Sequence, residues 1–145
     1  NYLVCKNLDT NIPTGASIEG IQIYIDRYNS FTGDGTVTIN DDAIYLTKNG
    51  TDTVGNNKST GATWASLDTD TYDSYGGVSD LWGATWTASE INDDNFGVMI
   101  SPNLAYDSGS GENGSDAKID HVYVEITFTD NSTSRRRAVF IAKNN

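Results

Sequence analysis

The segment that most constrains the fold is 118–129, which reads KIDHVYVEITFT. From residue 122 onward, every second position carries a large apolar residue: Val122, Val124, Ile126 and Phe128. Side chains of a β-strand point alternately to its two faces, so this period of two predicts a strand with one face in a core. A strand of this kind is stable only when other strands pair with it.

Shorter segments of the same character occur along the rest of the chain. Isoleucines alternate with other residues from Ile21 to Ile25, apolar residues recur in 37–46, and FGVMIS at 96–101 is mostly apolar. Glycine, asparagine and aspartate separate these segments without the spacing of βαβ units. We therefore predict an all-β protein, an antiparallel β-sandwich that is jelly-roll-like because long connections cross it.

Two weaker patterns lie in the middle of the chain. The acidic break NDD at 40–42 interrupts an alternating segment and predicts a β-bulge. The segment TDTVGNNKST at 51–60 has one large apolar residue, Val54, and predicts an edge strand.

One short helical turn is expected within the β pattern, near 87–94. Thr87 is followed three residues later by Glu90, which is the spacing of a helix capping box. This arrangement lets Ile91 point to the core. Two tryptophans come just before the turn, and we interpret both as plugs that close one end of the sandwich: Trp82 and Trp86.

The charge of the chain limits its partners. Twenty acidic and nine basic residues give a formal net charge of −11 at pH 7. A surface of this charge repels phosphate backbones, so we expect no nucleic acid as a partner. We also expect no membrane as a partner, because the sequence has no apolar run of membrane-spanning length. The simplest role of the negative charge is solubility.

The residue patterns favour a protein that is not an enzyme. Cys5 lies in an alternating apolar segment, where a small buried thiol is common. His121 follows Asp120, but adjacent strand residues point to opposite faces, so we do not expect the two side chains to act as an acid–base pair. The acidic clusters give no way to place two carboxylates across one glycosidic bond.

An acidic loop is the one metal site that the sequence suggests. The segment DTDTYD alternates carboxylates at Asp68, Asp70 and Asp73, which fits the oxygen ligands of a structural calcium ion. The glycine and distal glutamate of a calcium-binding loop are missing from it, and solvated turn residues are the alternative. No other cofactor is expected.

Aromatic residues of the irregular middle region suggest a second kind of ligand. Trp64, Tyr72 and Tyr75 are the side chains that we expect to stack on sugar rings if the protein binds a glycan. Packing in the core is the alternative, and aromatic residues of small β-domains more often have that role.

The chain divides into a sandwich domain at 1–129 and a C-terminal linker with an apolar arm at 130–145. The arm begins with a cationic cluster and continues as AVFIA. We expect it to dock on an acidic neighbouring subunit and add a strand to its edge, which makes a homo-oligomer the expected state. The residues of this interaction arm are Arg135, Arg136, Arg137, Val139, Phe140 and Ile141. A disordered end is the alternative.

Four segments, taken in order, resemble a known domain. They read YLVCKNLDTNIPTGASIEGIQIYIDR, IYLTKNGTDTVGNNKSTGATW, YGGVSDLWGATWTASEINDDNFGVMIS and KIDHVYVEITFT, and they extend over residues 2–129. As a set they are similar to a β-sandwich domain that recurs in structural proteins of tailed bacteriophages and in uncharacterised bacterial surface or prophage proteins.

The resemblance implies a noncatalytic component of the virion. A capsid decoration protein, a head fibre or a module of a tail fibre would bind capsid or tail proteins of the same particle. The alternative is a carbohydrate-binding module of a phage fibre or of a bacterial surface protein, which would be extracellular or on the cell surface. The resemblance supplies no catalytic residues, and the tail RRRAVFIAKNN lies outside it.

Overall fold

Seven strands and one helical turn make up the part of the chain that the computed structural model describes, residues 1–31, 37–66, 72–106, 115–130 and 134–141. In chain order they are β1 Leu3–Lys6, β2 Ser17–Phe31, β3 Val37–Thr47, β4 Tyr72–Gly77, α1 Ala88–Ile91, β5 Gly97–Tyr106, β6 Ser115–Thr129 and β7 Arg135–Ile141. The strands form two antiparallel sheets, with the orders β1-β5-β3 and β4-β2-β6-β7. The predicted all-β antiparallel sandwich is confirmed.

The connections between strands cross the sandwich repeatedly. From β1 to β6, each consecutive pair of described strands has one member in each sheet, and only β6 and β7 follow each other within one sheet. These are the connections across the sandwich that the sequence predicted. No described helix is long and apolar enough to cross a membrane.

The main core lies between the two sheets, where the alternation of each strand directs its apolar residues. Burying one such side chain fully contributes about 1.5–3 kcal/mol relative to leaving it exposed. The fully buried side chains contributed by the strands include Ile21, Ile23 and Ile25 from β2, Ile44 and Leu46 from β3, Val98 and Ile100 from β5, and Val124 and Ile126 from β6.

The predicted helical turn is confirmed, and the two tryptophans that precede it, Trp82 and Trp86, are buried in the main core. The Thr87 side chain accepts a hydrogen bond from the Glu90 backbone, and the Glu90 side chain accepts one from the Thr87 backbone. Ile91 is fully buried. Trp82 is also fully buried, and its Nε1 donates a hydrogen bond of 2.8 Å to the Ile21 carbonyl.

The absence of a side chain at Gly76 leaves room for the Trp82 ring in this position. The φ of Gly76 is +76°, and a Cβ added there would lie 2.5 Å from Trp82 Nε1 and 2.4 Å from the Ile21 carbonyl oxygen. A side chain at this position would therefore displace the tryptophan from the core.

The middle segments agree in part with the sequence predictions. The register between β3 and β5 shifts between Asp41 and Ala43, which confirms the bulge expected at NDD. The prediction of an edge strand at 51–60 is wrong, since these residues form only an isolated bridge between Val54 and Leu46. With one large apolar residue, the segment has too little apolar surface to stabilise a strand packed against the core.

The structure also moves the end of the sandwich beyond residue 129. Residues 135–141 form β7, which pairs with β6 of the same chain from Thr129↔Arg135 to Tyr123↔Ile141. Ala138 and Phe140 pack against the main core. The predicted boundary is therefore corrected, because the apolar alternation of this segment completes the chain's own sheet. Docking of the arm on a neighbouring subunit stays a prediction.

Candidate functional site

The face of the four-stranded sheet that points away from the core, called the outer face below, carries a strip of aromatic and aliphatic side chains. Tyr24 of β2 lies opposite Tyr123 of β6, which in turn lies opposite Ile141 of β7. Residues that are directly opposite in neighbouring strands point to the same face. With Tyr72 of β4 and Val139 of β7, these side chains form the tyrosine strip.

The rings of the strip are in contact. The Tyr24 and Tyr123 rings are stacked, with centroids 4.5 Å apart and an interplanar angle of 12°. Tyr72 meets Tyr123 edge to face, with centroids 5.1 Å apart. The contacts hold three tyrosines from three strands in one cluster on the surface.

Much of the strip is open to solvent. The exposed fraction is 44% for Tyr72, 56% for Val139 and 62% for Ile141. Adjoining exposed apolar groups on one face of a sheet are typical of an interaction surface, whereas exposed apolar residues scattered singly need no explanation.

Charged groups border the strip along β6. Glu125 forms an ion pair with Arg137, which lies on the neighbouring strand β7. Desolvation raises the pKa of the Tyr24 hydroxyl, and the nearby Glu125 carboxylate raises it further. The strip therefore combines ring surfaces with hydrogen-bonding groups at its margin.

At the other margin, a β-bulge changes the direction of a side chain that the sequence placed on the opposite face. Asp26 pairs with His121 while Arg27 pairs with Ile119, so Asp120 is the extra residue of β6. As a result Asp120 Oδ2 lies 3.0 Å from His121 Nδ1, and the predicted separation of these two side chains is wrong. Regular alternation holds only where the register is unbroken.

Inside the sandwich, a second group of polar and aromatic residues surrounds Asp41. The carboxylate accepts hydrogen bonds from Trp64 Nε1 at 2.8 Å, from the Tyr75 hydroxyl at 2.7 Å and from Arg27 Nη2 at 3.2 Å. Arg27 also donates to the Tyr75 hydroxyl from Nε and Nη2. All four side chains are buried, and they are called the buried network below.

This network corrects the predicted glycan platform for two of its three residues. Trp64 and Tyr75 are each 3% exposed, so neither ring can stack on a sugar. The Arg27 guanidinium lies 5.1 Å from the centroid of the Trp64 ring, which is a cation–π distance. Burial raises the pKa of the Tyr75 hydroxyl well above its ordinary value, and its hydrogen bond to Asp41 adds to the shift. Only Tyr72 of the predicted platform lies at the surface.

Of the three carboxylates in the predicted calcium loop, Asp73 belongs to the residues that the structure describes. Asp73 Oδ2 lies 3.1 Å from Arg27 Nη2, so this side chain forms an ion pair at the margin of the buried network. Asp68 and Asp70 lie outside the described residues. Calcium binding by this loop stays a prediction.

The three arginines of the predicted interaction arm contact acidic groups of their own chain. Arg135 Nε lies 2.7 Å from Glu19 Oε2, Arg136 Nε lies 2.6 Å from Asp130 Oδ2, and Arg137 pairs with Glu125. These ion pairs connect β7 to β2, to β6 and to the residue that follows β6.

The thiol of Cys5 does not favour nucleophilic chemistry. Burial raises its pKa to about 11, so the sulfur stays protonated at neutral pH. The thiolate is the reactive form of cysteine, and this environment suppresses it.

An open pocket lies beside α1. Its volume is about 680 Å³, and it is lined by residues 14–16, the start of β2 at 17–18, residues 86–89, and residues 92 and 93. Short hydroxyl and amide side chains and one carboxylate, Asp93, make up its polar groups. This lining does not assemble an acid–base pair.

Sequence reasoning missed several of the residues that build these two regions. Tyr24 and Tyr123 were visible as the polar-face neighbours of buried positions in two alternating strands, which is the signal for a shared outer face. Asp41 was visible only as part of an acidic break, because a single carboxylate gives no sign of three buried donors.

Comparisons with known proteins do not assign the chain to a family. No protein-family model matches it, and no curated protein or solved structure is significantly similar to it.

Proposed function

We propose that the chain is a noncatalytic structural protein of a virion, a capsid decoration or fibre component that docks on a phage particle through the outer face of its four-stranded sheet. The observation that supports this most is the tyrosine strip, in which exposed Tyr72, Val139 and Ile141 share one face with stacked Tyr24 and Tyr123. The virion assignment rests on the resemblance of the sequence segments, and the strip supplies the surface that such a protein needs.

The edge of the sheet supports docking at the same place. β7 is the last strand in the order β4-β2-β6-β7, so one of its edges faces away from the described strands. Such an edge can accept a strand from another protein, while neighbouring side chains give specificity. Val139 and Ile141 extend the strip to this edge.

A modest surface is sufficient for a protein that binds a repeating lattice. When several copies are linked, each further contact forms at a high effective concentration, so weak contacts add to strong attachment. A homo-oligomer of this chain would gain from this effect on a capsid or fibre.

The test is co-sedimentation of the full chain with tailed-phage particles from the same source. The variant Val139→Asp/Ile141→Asp places charge in the strip, and we expect it to lower the bound fraction at least about 10-fold, since one buried unpaired charge costs several kcal/mol. The matched control is Leu3→Asp, which changes a side chain that is 50% exposed on the other sheet.

Two results would contradict the proposal. One is a wild-type chain that stays in the supernatant at all particle concentrations. The other is equal loss of binding in the control and in the strip variant, because the outer face would then have no special role.

A glycan-binding module is the second function that the geometry favours. Sugar rings stack on exposed aromatic side chains, and Tyr72 offers one beside Tyr24 and Tyr123. A glycan array with wild-type chain and Tyr72→Ala separates the functions, since a saccharide signal that disappears in the variant supports glycan binding and an array without signal contradicts it.

A further inference from the structure

We propose that Asp26, Asp120 and His121 form a binding site for a divalent transition-metal ion, for which Zn²⁺ is the suitable probe. The site lies on the outer face at the bulge between β2 and β6, and it is independent of the proposed virion function. It differs in position and in ligand type from the acidic loop at 68–73.

The bulge brings the three side chains together. Asp26 and His121 are opposite each other across β2 and β6, and Asp120 is the extra residue beside them. One ligand atom from each residue lies within 4.8 Å of the others. Such separations are close to those of atoms that share one ion, since metal–ligand bonds of about 2.0–2.2 Å place ligand atoms about 3–4 Å apart.

The donor set selects the kind of ion. Imidazole nitrogen suits zinc, copper, iron and nickel, whereas calcium takes oxygen ligands almost exclusively. One imidazole with two carboxylates therefore favours a transition-metal dication over Ca²⁺. Three protein ligands leave coordination positions for water.

The charges around the site favour a cation. Two carboxylates approach one imidazole, and Asp26 is only 2% exposed, so it sits where charge is poorly screened. A dication would add positive charge between these carboxylates.

The chain permits an unambiguous test because His121 is its only histidine. The full chain without an affinity tag is titrated with Zn²⁺, and binding is followed by calorimetry and by the imidazole signals in a ¹H–¹⁵N correlation spectrum. We expect one ion per chain, a shift of both ring nitrogen signals, and much weaker binding of Ca²⁺.

Variants at the exposed positions keep the test separate from folding. His121→Ala and Asp120→Asn change exposed side chains. Loss of a residue that only supports a metal ligand lowers affinity about 10-fold or more, so we expect loss of a ligand itself to weaken Zn²⁺ binding at least about 10-fold. The matched control is Asp116→Asn, which removes an exposed carboxylate of the same strand that pairs with Lys118. Thermal unfolding without metal verifies that the variants are folded.

Three outcomes would overturn the assignment. The imidazole signals of His121 would stay unchanged up to millimolar Zn²⁺, the affinity of His121→Ala would equal that of the wild type, or Ca²⁺ would bind as tightly as Zn²⁺. Equal weakening in Asp116→Asn would show a general effect of surface charge and would also overturn it.

Discussion

The buried network and the tyrosine strip use similar residues in opposite surroundings. β4 contributes Tyr75 to the network and Tyr72 to the strip, and the two positions are three residues apart. An odd spacing in a strand puts side chains on opposite faces. In β4, the face to which a tyrosine points therefore decides whether it is available to a ligand, since the residue type is the same at both positions.

The two regions also differ in how charge is accommodated. In the buried network, Asp41 is within hydrogen-bonding distance of a guanidinium, a hydroxyl and an indole. A buried charge without such partners is very costly, so the members depend on one another. Beside the strip, the Arg137 side chain that pairs with Glu125 is half-exposed, so water screens this ion pair and the arginine can change with less effect on the fold.

The largest expected effect on stability comes from removing the carboxylate at the centre of the buried network. Asp41→Ala leaves Arg27 buried without its main counter-charge, and we expect the free energy of unfolding to fall by about 3–5 kcal/mol. Urea denaturation measures this change. The adjacent Asp42→Ala alters an exposed carboxylate and is the control, with an expected change within about 0.5 kcal/mol. If both variants lowered the free energy of unfolding equally, the claim that the buried carboxylate contributes more to stability than the exposed one would be contradicted.

Tyr75→Phe removes the hydroxyl that joins Arg27 to Asp41, and we expect it to lower the free energy of unfolding by about 1–3 kcal/mol at neutral pH. The hydroxyl also makes stability depend on alkaline pH. In the unfolded chain a tyrosine loses its proton near pH 10, while the folded protein holds that of Tyr75 to higher pH. The unfolded state then binds fewer protons, so stability falls as pH rises above about 10.

Denaturation at a series of alkaline pH values checks this dependence, with Tyr24→Phe as the comparison on the outer face. We expect Tyr75→Phe to reduce the alkaline loss of stability more than Tyr24→Phe does. An identical slope in wild type and Tyr75→Phe would contradict the account of the buried hydroxyl.

On the outer face, the stacked rings should contribute a smaller amount. A double-mutant cycle of Tyr24→Ala and Tyr123→Ala is expected to give a coupling energy of about 0.5–1.5 kcal/mol, which is the range for aromatic pairs. A coupling as large as the loss in Asp41→Ala would mean that the strip serves the fold rather than a partner.

The smallest expected effect belongs to the ion pairs that fasten β7. Arg136→Ala breaks a pair with Asp130 at the surface, and we expect a change of about 0–1 kcal/mol that vanishes at about 1 M salt. Thermal unfolding at low and high salt measures it. A loss that persists at high salt would indicate that this arginine contributes through packing.

Much of the fold could be predicted because it depends on local alternation. The buried faces of β2 and β6 follow from Ile21–Ile25 and Val122–Phe128, and the capping box of α1 follows from the spacing of Thr87 and Glu90. The same alternation in 138–141 could have indicated that β7 belongs to the sheet.

The remaining features depend on pairings that are distant in sequence. Arg27, Asp41 and Tyr75 meet only because three strands of two sheets are packed together, and no local pattern encodes that meeting. The proximity of Asp120 and His121 depends on a bulge whose position is set by the register with β2. Trp64 was ambiguous because an indole can pack in a core or stack on a sugar, although packing is the more common role in a small β-domain.

The most direct test of the outer face as the docking surface is hydroxyl-radical footprinting of the chain bound to phage particles. Tyr72 is 44% exposed in the strip, and Tyr2 is 40% exposed and packs against Tyr45 of the other sheet. We predict that binding protects Tyr72 from oxidation and leaves Tyr2 as reactive as in the free chain. Protection of Tyr2 with unchanged reactivity of Tyr72 would contradict the account.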